Sequence, residues 1–152
     1  YHIPYWKGYP HPTDMALHDF FIFGGSYTEP WVELWQSIAG WAPRYLITDS
    51  LTAEVTKYVE NMFLATKKIF CDELYMACQV FNVDYNIVRE LWLMDGRVGP
   101  AMTIIDPHNP GFGGKCLPKD TAAIVAALAV KGYDAKFWNA VIQSNKRFRG
   151  IR

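Results

Sequence analysis

The run Gly111-Phe112-Gly113-Gly114-Lys115-Cys116-Leu117-Pro118-Lys119-Asp120 concentrates the chemistry of this chain. Its three glycines in four positions let the backbone take positive φ and approach a ligand with no side chain in the way. Pro118 suits the opening of a helix that the pattern predicts over Lys119 to Val130, with Gly132 to end it. Cys116 then stands just ahead of that helix, at the positive end of its dipole, with Lys115 and Lys119 beside it. Such surroundings favour the nucleophilic form of a thiol. Asp120, in the first turn, is near enough to act on whatever the thiol binds. Spacing alone leaves a second reading open, a Gly-rich turn that carries a buried cysteine.

Two phosphate motifs are excluded in the same stretch. A phosphate loop ending at Gly114-Lys115 would need glycine at position 109 and a hydroxyl residue at position 116, where the chain has Asn109 and Cys116. A dinucleotide fingerprint needs a strand ahead of it, and none is read there. The remaining thiols, Cys71 and Cys78, lie seven apart in a helical pattern, about 10 Å from each other and too far to bridge. They read as core thiols. His2, His11 and His18 fall in a Pro-broken stretch with no helical or hairpin spacing, so no metal site is expected.

These residues must be positioned by a chain of 152 residues, one domain's worth, with 51% apolar and 20% charged residues. Lys and Arg number 15 against 15 Asp and Glu, and a formal charge of zero points to neither nucleic acid nor an anionic membrane. No apolar run approaches the roughly 18 residues of a spanning helix, and Tyr1 to Pro12 lacks a signal-peptide pattern. A soluble, cytoplasmic protein is expected. The sequence opens without Met, so a piece of a longer protein is expected too.

Phe20 to Phe23 followed by Gly24-Gly25 suits a short, fully buried strand. Pro30 opens an amphipathic stretch, Trp31 to Ala39, that Gly40 can end, and Arg44 to Thr48 is a second strand. From Ser50 to Asn82, Val55, Val59, Met62, Phe63, Ile69, Phe70, Leu74, Cys78 and Phe81 recur at steps of three and four, one long helix capped by Asp49 or Ser50. At about 45 Å it outruns so small a domain, and part of its stripe needs a partner subunit. Shorter helices follow over Tyr85 to Leu93 and over Ala135 to Arg147, the latter capped by Asp134. The fold class is mainly α: a helical domain with one long helix, preceded by a short β-α-β segment. Lys57 and Asn61, four apart on the long helix, share one face and flank the apolar stripe instead of belonging to it. A solvated lysine and a surface amide are their plain readings.

The run Gly111 to Asp120 resembles the catalytic loop of the UDP-glucose and GDP-mannose dehydrogenase family, and Ala53 to Lys67 resembles that family's long central helix. Both motifs stand in the family's order and at about its separation. Arg97, in Asp95-Gly96-Arg97-Val98-Gly99, resembles the arginine that the family extends across its dimer to the partner's sugar nucleotide, and the last helix with Asn145 also fits. The resemblance is strong from Ser50 to Asn145. It is looser over His18 to Gly25 and Trp31 to Thr48, which are similar to the end of the family's NAD-binding domain. It implies that residues 1–49 close an α/β cofactor domain and that residues 50–152 form a helical central domain that dimerises through the long helix.

The resemblance further implies a four-electron oxidation of a nucleotide sugar to its uronate with NAD as hydride acceptor. Cys116 would attack an aldehyde and water would open the resulting thioester. Lys57 and Asn61 would stabilise the oxyanion, Asp120 would guide the water, Gly111, Phe112 and Gly113 would line the sugar pocket, Arg97 would reach substrate, and Lys119 would meet the cofactor. Two departures weigh against a complete enzyme. The family's Glu in a Pro-Glu-Phe-Leu-like segment has no counterpart in Ile3-Pro4-Tyr5-Trp6-Lys7-Gly8, and these 152 residues include no Gly-rich NAD turn. The chain alone is expected to be inactive. The competing expectation is a non-catalytic helical dimer that keeps the sugar loop for binding. Intact Cys116, Lys57, Asn61 and Asp120 favour the enzyme, and the missing Glu favours the module.

Overall fold

A computed structural model of the protein describes residues 18–150. The described residues form two compact units, one up to Lys57 and one from Tyr58, that divide inside the long helix. The first holds β1 (Phe20–Gly24), α1 (Glu29–Ala39), β2 (Arg44–Thr48) and the start of α2 (Ser50–Phe81). β1 and β2 pair in parallel, in register from Phe20 with Arg44 to Gly24 with Thr48. Phe21 stacks on Trp35 of α1 at 5.6 Å and on Tyr45 of β2 at 5.5 Å, and Tyr45 Oη donates to the Gly40 carbonyl at 2.5 Å. Gly24 is required by a close approach, because a Cβ there would stand 2.6 Å from that of Ala53.

Asp49 caps α2, its Oδ1 accepting from Thr52 N at 2.9 Å. The helix runs 32 residues and ends in a Schellman motif. Asn82 takes φ +54°, its N–H bonds to Gln79 O, and Val83 N–H reaches back to Cys78 O. The second unit adds α3 (Tyr85–Trp92), α4 (Cys116–Val130) and α5 (Lys136–Phe148). Asp84 caps α3 through Asn86 N at 2.7 Å. α4 closes in a second Schellman motif, with Gly132 at φ +81° and Tyr133 N–H on Leu128 O. Ala65 and Ile69 of α2, Phe112, Leu117 of α4 and Val141 of α5 form the buried cluster at the centre of this unit.

The fold class is therefore as expected, mainly helical after a short parallel strand pair. Several local expectations need correction. β1 is not fully buried: Phe20 is 49% and Ile22 36% exposed, because α1 covers the face of the strand pair that carries Phe21. α4 begins at Cys116 and not at Lys119, since Pro118 is tolerated anywhere in the first turn, where its missing N–H has no partner to lose. α5 begins at Lys136 after an Ala135 cap, and the Asp134 side chain makes no capping bond. In the long stripe, Met62, Ile69 and Cys78 are buried while Val55, Val59, Phe63, Phe70 and Phe81 are exposed.

Candidate active site

Cys116 is the first residue of α4 and is partly exposed. Lys115, at the helix cap, makes no side-chain capping bond. Asp120 lies one turn on, and residues four apart share a helix face. Its carboxylate is buried at 3% exposure and accepts from Asn61 Nδ2 of α2, across 2.5 Å, through Oδ2. The other oxygen pairs with Lys119 Nζ at 2.5 Å, which raises the Lys119 pKa above its ordinary value. An amide and a carboxylate are thus joined where α2 meets α4, and the thiol lies one helical turn before that carboxylate.

The glycine loop is held by side chains of two helices. Gly111 takes φ +80°, which favours glycine, and its N–H donates to Asp72 Oδ2 at 2.9 Å. Phe112 is gripped through its backbone by Asn145, which accepts from Phe112 N at 2.7 Å and donates to Phe112 O at 3.0 Å. The Phe112 ring enters the core cluster, so what this residue offers a ligand is backbone. Gly113 lies under the Arg149 guanidinium. Arg97 is apart from this group, in a turn where its side chain is 89% exposed and bonded to Asp95. That ion pair lowers the Asp95 pKa and raises that of Arg97. Lys57 is exposed, one turn before Asn61 on α2, and belongs to the first unit.

Sequence reasoning missed Asp72, which is 1% exposed and also ion-paired with Lys68. Its phase on α2 was the available clue: it lies seven residues after Ala65 and three after Ile69, on the buried side. His18 contacts the Phe21 ring, and no group of His, Cys, Asp or Glu among the described residues could hold a metal ion. His2, His11 and the segment Ile3 to Gly8 lie outside the described residues. No helix among the described residues is long and apolar enough to cross a membrane.

Residues 51–147 match the model of the UDP-glucose/GDP-mannose dehydrogenase family, central domain. The chain belongs to this family. Its UDP-glucose 6-dehydrogenase relatives include one from Rickettsia bellii, 40% identical over 66% of this chain and 23% of its own length. Another, from Pseudomonas aeruginosa, is 33% identical over 88% of this chain and 30% of its own. The solved UDP-glucose dehydrogenase of the archaeon Pyrobaculum islandicum matches with a TM-score of 0.72 and 29% identity, covering 85% of this chain and 29% of that one. The chain thus spans between 23% and 30% of the length of these UDP-glucose dehydrogenases. Lys57, Asn61, Asp72, Arg97, Cys116, Asp120 and Asn145 all fall inside the family region.

Proposed function

We propose that this chain is the central, cysteine-bearing part of an NAD-dependent nucleotide-sugar 6-dehydrogenase that acts in the cytoplasm on UDP-glucose or GDP-mannose. The observation that carries this reading is the buried Asn61–Asp120 contact one turn from Cys116. A plain Gly-rich turn with a core cysteine has no use for a desolvated amide–carboxylate pair beside a partly exposed thiol.

In this reading the Cys116 sulfur bonds to the aldehyde carbon of the sugar, and the carbonyl oxygen takes the electron pair as an oxyanion. Asn61 Nδ2 and Lys57 Nζ are its donors, Lys57 by its spacing on α2 and by the family resemblance. When bound, NAD would accept the hydride lost from the sugar carbon at each of two oxidations, first as the alcohol becomes the aldehyde and again as the Cys116 adduct becomes the thioester. By the family resemblance Lys119 is the residue of this chain that would meet the cofactor, and its Nζ pairs with Asp120. Once the carbon bound to sulfur is an acyl carbon, water adds to it, Asp120 takes a proton from that water, and the C–S bond breaks. Thiolate and uronate are the products. The backbone of Gly111, Phe112 and Gly113 lines the sugar pocket, and Arg97 extends to the nucleotide sugar of a partner subunit. Exposed Val59, Phe63 and Phe70 support a homodimer through α2, with the chain dividing into a cofactor-domain remnant (1–49) and a central domain (50–152).

Iodoacetamide near neutral pH, with peptide mapping, tests the nucleophile: Cys116 is expected to label first, and equal labelling of all three thiols would remove its role and leave the non-catalytic module. The 152-residue chain alone is expected to give no sustained NAD reduction with either sugar nucleotide. Without a held cofactor it forfeits an orientation advantage of roughly 7–11 kcal/mol, and Cys116-dependent reduction would overturn that expectation.

A further inference from the structure

Asp72 and Asn145 grip the two residues Gly111 and Phe112 from different helices. Asp72, on α2, accepts from Gly111 N–H with one oxygen and pairs with Lys68 through the other. Asn145, on α5 and 7% exposed, satisfies both the N–H and the carbonyl of Phe112. The fit admits only glycine beside them, because a Cβ at Gly111 would stand 2.5 Å from Asn145 Oδ1 and 2.9 Å from Arg149 Cγ. The Phe112 ring, buried among Ala65, Ile69, Leu117 and Val141, fixes the loop from a third side. The start of α4 has no side-chain cap, so the helix turn that presents Cys116 is held by the loop that enters it.

We infer that Asp72 and Asn145 are positioning residues for the Cys116 thiol. Their hydrogen bonds go to the backbone of the loop. They fix the height and angle at which the chain passes from Gly111 into α4, and so where the sulfur stands relative to Asn61 and Asp120. The inference rests on the proposed role of Cys116. Buried polar residues that only stabilised the fold would lower its melting temperature and leave the chemistry of Cys116 unchanged.

The test uses the full chain and four variants: Asp72→Leu and Asn145→Leu, which remove the acceptors but keep the branching at Cγ, Asp72→Asn, which keeps an acceptor oxygen for Gly111 N–H, and Asn145→Asp, which keeps an acceptor for Phe112 N–H but no donor. The readouts are the rate of Cys116 alkylation as a function of pH, with Cys71 and Cys78 as internal controls, and the thermal melt. The two leucine variants should lose roughly tenfold in Cys116 rate, because a displaced sulfur leaves the helix end and the lysine neighbours that favour its attack. Asp72→Asn should recover most of the rate, and Asn145→Asp should fall between parent and Asn145→Leu. A cooperatively melting leucine variant with the parent's Cys116 rate overturns the inference. Should the leucine variants fail to fold, parent-like Cys116 behaviour in Asn145→Asp does the same. A parent chain whose Cys116 reacts no faster than Cys71 and Cys78 overturns instead the role given to Cys116, and this inference with it.

Discussion

On one side of α2 stand Asn61, Ala65, Ile69 and Asp72, all buried; on the opposite side stand Val59, Phe63 and Phe70, all at least half exposed. A surface helix usually turns its apolar stripe inward and its polar residues to water. Here two polar side chains are in the core and three large apolar ones are outside it. The buried polar groups are all partnered, with no orphaned side-chain nitrogen or oxygen among the described residues. Partnering is what makes their burial tolerable. The opposite face, with a cavity of about 200 Å³ lined by Val59, Met62, Phe63, Thr66, Phe137 and Trp138, is the kind of surface that proteins cover with other proteins. The contrast is one of partners: the polar groups of the inner side find theirs within this chain, whereas the apolar residues of the outer side are the ones the proposed dimer would cover.

The contrast breaks most visibly at two phenylalanines. Phe112→Ala removes the ring that ties the loop to the core, and a loss of about 3–5 kcal/mol in denaturant unfolding is expected for a buried phenylalanine. Phe63, 63% exposed, should change monomer stability by less than about 0.5 kcal/mol on truncation. Phe63→Asp should instead abolish the proposed dimer, as light scattering at tens of micromolar would report. Equal destabilisation by Phe112→Ala and Phe63→Ala would erase the distinction between the faces, and a parent chain that is monomeric under these conditions would leave the outer face without its proposed purpose.

Local chemistry was the legible part of the sequence. The Gly-Pro-Cys composition of the loop, the period of α2, the Asp49 cap and the strand, helix, strand order before Ser50 are each written within a few neighbouring residues. The direction in which α2 faces was not legible. Period reveals that a stripe exists, and burial depends on partners such as Phe112 and Val141 that are distant in sequence. Asp72 was missed for the same reason. A carboxylate four residues after a lysine on a helix reads as a solvated ion pair, while the bond that defines it joins it to Gly111, 39 residues away. The start of α4, at Cys116, is not fixed by the sequence, because Pro118 is compatible with more than one position in a first turn.

The smallest expected effect sharpens the comparison between two thiols. Cys71 is fully buried beside Asp72, whereas Cys116 is partly exposed at a helix start. Burial pushes the Cys71 pKa up, and the Tyr85 hydroxyl and the nearby Lys67 and Lys68 offset this only in part. A thiol whose folded pKa lies above its unfolded one stabilises the fold fully below the unfolded value, near pH 8.5, and loses that contribution as pH rises through the folded value. Lys67 acts in the opposite sense, because desolvation lowers its pKa; the unfolded chain then holds its proton longer, and stability from this group rises with pH. The two are separated by comparing the parent with Cys71→Ala. Denaturant unfolding under reducing conditions, from about pH 7 to about pH 9.5, should find the parent losing stability relative to the variant above the ordinary thiol value. The difference should grow by at most about 1.4 kcal/mol per pH unit, the limit for one proton. Parallel curves would mean that Cys71 ionises in the fold as readily as in the open chain, and the inner side of α2 would not be the dry environment on which its partnered polar groups depend.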